Sequence, residues 1–149
     1  MILNRQRAVR VAQGPLELFS QNVRVELGLE GVEFTICLVS DNEIAKMNEK
    51  FRKKSGPTDV LSFPAISRRK PVTLRVGKRA VKAGVELGDI AISPATAKRY
   101  AAKPGREFSD ELKILILHGV LHLLGYDHEK DHGEMDRVER RFRKRLGLA

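Results

Sequence analysis

The chain has no tryptophan, two tyrosines and six phenylalanines in 149 residues, so the aromatic platform on which many single-strand binders stack bases is not advertised. Its one cysteine, Cys37, excludes an intrachain disulfide, and within the apolar run FTICLV it reads as a buried thiol acting as a small hydrophobe. No apolar run reaches the roughly eighteen residues of a membrane-spanning helix, and the start, MILNRQRAVRVAQGPLELF, has no uninterrupted apolar stretch of signal-peptide length. These absences predict a soluble, cytosolic protein. Acidic residues are also in short supply, 19 against 28 Lys plus Arg, for a net charge of +9 and a pI near 10.0. Such an excess suits a polyanionic partner such as nucleic acid, gripped through its phosphates; a densely charged, solvated surface would give the same numbers.

At this length one domain over residues 1–149 is the simplest organisation, large enough to bury about two-thirds of the surface of its unfolded form. Pro15, Leu16, Phe19, Val23 and Leu27 follow helical spacing, with proline where a first turn tolerates it. VEFTICLVS, residues 32–40, reads as a buried strand, after which Ser40 or Asp41 can cap a helix carrying Ile44, Met47 and Phe51. A turn at Gly56 and Pro57 leads to a short strand, Val60 to Phe63, closed by Pro64. LGDIAIS, residues 87–93, is a further strand, and Pro94 opens a helix that ends before Pro104-Gly105. An apolar helix runs from Ser109 to Leu124, where Gly125 stops it. Asp131 and Glu134 resemble a capping box for a last helix striped by Met135, Val138, Phe142 and Leu146, with a basic opposite face. Residues 65–86 carry seven Lys or Arg and one acid, Glu86; within them VTLRV alternates enough to be an edge strand or hairpin arm. Mixed strands and helices in this order predict an α/β (α+β) domain with one sheet packed by helices.

All four histidines fall between 118 and 132. His118 and His122 are four apart, hence on one helix face, and a left-handed Gly125 lets the chain reverse and bring His128 from another direction. Three imidazoles with a fourth corner open form the arrangement of a catalytic zinc site, although manganese, nickel or iron suit the same ligands. His132 could close the site as a fourth ligand, but at the start of the last helix a solvent-facing ring is expected. The spacing is that of metzincin peptidases, whose first histidine is followed by a glutamate that moves protons. Here that place is Gly119. A peptidase would need a carboxylate from elsewhere, such as Asp59 or Asp89, whereas phosphodiester cleavage asks for a metal and cations to receive developing charge. Arg52, Lys53 and Lys54 offer such cations, or merely complement the end of their helix.

HGVLHLLGYDH, with FRKKSGPTDVLSFP and LGDIAIS in this order, resembles the bacterial YbeY family, the metal-dependent endoribonucleases of ribosomal RNA maturation. The family motif HGxLHLxGYDH is matched at every specified position, and the likeness spans roughly residues 30–146. The resemblance implies a single α/β domain with a small mixed sheet of about four strands, Zn2+ held by His118, His122 and His128, and cleavage of single-stranded RNA. It further implies a role at the small-subunit ribosomal RNA 3′ end and in ribosome quality control. The family's functionally important arginine falls on Arg52 and its lysine on Lys54, which raises these two above Lys53. Two departures are visible: residues 65–86 are longer and more basic than expected, and His132 stands where members often carry an acid. A metzincin-like peptidase and a non-catalytic, zinc-stabilised ribosome-assembly factor are the alternative readings.

Overall fold

A computed structural model describes residues 1–103 and 105–148; Pro104 of the expected Pro104-Gly105 break lies outside the described residues. The elements run β1 (Ile2–Asn4), α1 (Gln13–Glu26), β2 (Glu33–Leu38), α2 (Asp41–Arg52), β3 (Val60–Pro64), β4 (Glu86–Ile92), α3 (Pro94–Ala102), α4 (Phe108–Leu123) and α5 (Glu134–Arg145). The sheet has the order β1-β2-β4-β3, with β1, β2 and β4 parallel and β3 antiparallel to β4. The expected single α/β domain with a four-stranded mixed sheet is therefore what forms.

Alternation along the strands divides the interior. Phe34, Ile36 and Leu38 of β2 and Ile90 and Ile92 of β4 enter the main core with Leu16, Phe19 and Val23 of α1 and the apolar body of α4. Met135 and Phe142 of α5 close that core from outside. Ala91 and Leu61 turn the other way, onto Ile44 of α2, with Cys37 and Met47 at the margin. Cys37 is only half-buried, and burial still pushes its thiol up, which disfavours the thiolate. Phe51, expected in the same stripe, is exposed and meets Phe63 edge-on with centroids 5.1 Å apart.

Gly88 belongs to a β-bulge: Glu33 and Phe34 face Glu86 and Gly88, which leaves Leu87 extra. Its φ of 133° and the Phe63 carbonyl, which a Cβ would strike, admit only glycine. Ser40 caps α2 as expected, accepting from the Glu43 amide. Helix α4 begins one residue before Ser109, with Glu107 as its N-cap. Among the described residues no helix is long and apolar enough to cross a membrane.

Two expectations are corrected. VTLRV forms no strand: the Val72 amide donates to the Leu124 carbonyl at the end of α4, 2.9 Å away, and the Arg141 side chain of α5 donates to the Leu74 carbonyl, so these backbone groups bond to helices rather than to a sheet edge. Conversely, Ile2–Asn4 is a strand, paired with Ile36–Leu38, where only a short apolar start was legible.

Candidate active site

The C-terminus of α4 builds the site. Gly125 has φ 99°; its amide donates to the His122 carbonyl at 3.0 Å, and the Tyr126 amide to Leu121 at 3.1 Å. These two bonds form a Schellman motif, the helix stop expected of Gly125, and they turn the chain so that His128 returns to His118 and His122. Nitrogen atoms of the three rings all lie within 4.8 Å of one another.

Hydrogen bonds decide how the rings face. His118 Nδ1 lies 2.9 Å from Glu139 Oε1, and His122 Nδ1 lies 2.9 Å from the Tyr126 carbonyl oxygen. A carbonyl and a carboxylate only accept, so Nδ1 is the donor in both rings, and in the neutral form each ring turns its Nε2 lone pair inward. Those two Nε2 atoms converge to 3.0 Å. Two neutral rings facing through Nε2 form a seat for a cation, since ligands about 2.0–2.1 Å from a tetrahedral ion stand about 3.3 Å apart. The donor set therefore fits a divalent transition metal. Burial, helped by the neighbouring His118 ring, holds His122 below the ordinary imidazole range and so favours its ligating, neutral form.

The histidines open into a pocket of about 720 Å³ between the outer edge of β3, the end of α2 and the residues after α4. Arg52 lines it, held by Glu129 at 3.3 Å, as do Asp59, Arg68 and Lys130. Lys54 is exposed on the loop after α2, outside the lining. Of the two carboxylates considered from sequence, Asp59 reaches the pocket, where burial pushes its carboxyl up; Asp89 is exposed on β4 and does not line it. His132 is exposed and outside the histidine group, its amide bonded to Glu134.

Gly119 does not face the pocket. A Cβ there would meet Ile90 Cγ2 at 2.8 Å and Cδ1 at 3.0 Å, so the bare backbone lets α4 lie closely on β4, where Ser62 also donates to its carbonyl. Sequence reasoning missed Glu139 and Arg68. Glu139 comes 21 residues after His118, on another helix, and no local spacing signals it.

A family model described as Endoribonuclease YbeY matches residues 2–147. The endoribonuclease YbeY of Koribacter versatilis is 40% identical over 148 residues, covering 99% of this chain and 86% of that protein. The protein of the same name from Aquifex aeolicus is 37% identical over 143 residues, covering 96% and 85%. A Thermotoga maritima protein solved in solution shares the fold with a TM-score of 0.60 at 27% identity, covering 98% of this chain and 89% of that one. A sequence match across nearly the whole chain, and a shared fold, show that this protein belongs to the endoribonuclease YbeY family.

Proposed function

We propose that the protein is a zinc-dependent endoribonuclease of the cytoplasm, cutting single-stranded ribosomal RNA in maturation of the small-subunit 3′ end and in ribosome quality control. The observation that carries this reading is the convergence of the His118 and His122 Nε2 atoms beside His128 in a pocket that also holds Arg52. The relatives' printed name supports RNA as the substrate, and the net charge of +9 suits it.

In this reading His118, His122 and His128 hold the ion, which when bound supplies Lewis acidity toward phosphoryl oxygen and lowers the pKa of water. Glu139 and the Tyr126 carbonyl keep the His118 and His122 rings turned with Nε2 inward. Arg52 donates its guanidinium to a non-bridging oxygen of the scissile phosphate, leaving Glu129 to do so; that exposed ion pair is weak and gives way. Lys54 meets a phosphate farther along the strand.

The test incubates purified protein, with and without chelator, with single-stranded ribosomal RNA and with casein, comparing wild type, His118→Ala and Arg52→Ala. Metal-loaded wild type is expected to cut RNA and leave casein intact. Chelation and His118→Ala abolish cleavage, and Arg52→Ala slows it by roughly a hundred-fold or more. RNA bound but never cut by metal-loaded protein would identify a non-catalytic assembly factor instead, and cut casein a peptidase.

A further inference from the structure

Arg68 lies in the basic stretch of residues 65–86 and lines the same pocket as the three histidines and Arg52. Its position is built. The Val72 amide donates to Leu124 and the Tyr126 hydroxyl to the Val72 carbonyl, both at 2.9 Å, so the chain from 68 to 72 is strapped to the turn that aims His128. The fit is close: a Cβ on Gly125 would stand 3.0 Å from Pro71 Cα and 3.4 Å from Arg68 Cβ.

The Arg68 Nε is buried and has no hydrogen-bond partner, and among the described residues no carboxylate pairs with this side chain. A guanidinium taken partly out of water without an acceptor, at the wall of a pocket, calls for an anion. Arg52, by contrast, must first part from Glu129.

We propose that Arg68 is a second phosphate-binding cation of the site, gripping the RNA backbone alongside Arg52; the substrate class rests on the ribonuclease reading above. Its planar fork suits two oxygens of one phosphate, and the strap fixes its backbone against the metal-site turn, so that it holds the strand in place while Arg52 serves the reacting group.

The experiment measures binding of a 5′-labelled single-stranded RNA oligonucleotide to metal-loaded protein by fluorescence anisotropy, with cleavage kinetics on the same RNA. The variants are Arg68→Met, which keeps the aliphatic body, Arg68→Gln, Arg68→Lys, and Arg69→Met as a charge-matched control on an exposed strap residue outside the pocket lining. Arg68→Met and Arg68→Gln are expected to weaken binding roughly ten-fold and to flatten the salt dependence by about 0.7 in log–log slope. In cleavage, KM rises by a similar factor with a smaller fall in kcat; Arg68→Lys recovers part of the loss, and Arg69→Met behaves as wild type. Unchanged binding by Arg68→Met, or an equal loss in Arg69→Met, overturns the assignment, as does a loss found only in variants that also lose zinc or melt early. RNA held through Arg68 yet left uncut by wild type supports the contact while overturning the nuclease reading. Cleavage indifferent to Arg68 does the reverse.

Discussion

Gly119 shows how one residue constrains both packing and chemistry. The three nearest atoms to a Cβ at that place belong to Ile90, a fully buried core residue that has little room to move. Alanine favours a helix over glycine by about 1 kcal/mol, but overpacking of a dense core costs about 1–3 kcal/mol. Gly119→Ala is therefore expected to lower stability in urea denaturation, and in an Ile90→Ala background the same change should become neutral or stabilising. A penalty that persists without the Ile90 side chain would mean that the close approach is not its cause. A glutamate side chain at 119 would start against Ile90 of the sheet. Beside the three histidines, Glu139 orients His118, so under the zinc reading proposed above Glu139→Ala is expected to weaken metal affinity by roughly ten- to hundred-fold. Competition with a fluorescent chelator measures it, and affinity equal to wild type would show that the His118 ring holds its direction unaided.

At the scale of elements, local signals were legible and long-range ones were not. Helix α1, the Ser40 cap of α2 and the Gly125 stop of α4 follow from spacing and from residues whose conformational preference is local. Strand β1 was invisible because three residues carry no period of their own and acquire strand character only by pairing with β2. VTLRV failed for the opposite reason: Leu74 is buried and Val72 half-buried against the main core, but their backbone bonds to Leu124 and to the Arg141 side chain rather than to a strand. A polar joint between elements was equally unreadable. Asp41, at the start of α2, accepts from Ser93 Oγ at 2.6 Å, Thr96 Oγ1 at 2.7 Å and Arg99 at 3.0 Å, tying α2 to the start of α3. Partial burial raises its pKa, but the two hydroxyls and the guanidinium outweigh that and hold the carboxyl below its ordinary value of 3.8. A depressed folded pKa contributes stability in full above the unfolded value, and this is lost as pH falls through the folded one. Acid titration of urea stability should show that loss in wild type. Asp41→Asn should be less stable near neutrality by about 1 kcal/mol and lose less on acidification. Parallel curves for the two proteins below pH 5 would remove Asp41 from the account.

For the molecule as a whole, the three histidines were legible because helical spacing and one glycine bring them together, whereas the pocket around them is assembled from α2, β3, the strap and the turn after α4. Charge was legible only as a total: the sequence gives +9, while the fold decides which cations share the pocket. Arg52, Arg68 and Lys130 line it, and Lys54 stands nearby on the loop after α2. Each phosphate neutralised on a single strand contributes about −0.7 to the slope of log affinity against log salt. If these four cations each take one phosphate, RNA binding should weaken with a slope of roughly −3, four times that value. The ion itself, if it binds phosphoryl oxygen, adds affinity that does not depend on releasing counterions from these side chains. Anisotropy titrations between low and high salt should therefore give the same slope for wild type and for His118→Ala, with the variant displaced to weaker binding throughout. A slope near zero would assign the positive charge to solubility alone. A slope far steeper than −3 would mean that the RNA runs beyond the pocket, onto the remaining cations of residues 65–86 or the basic face of α5.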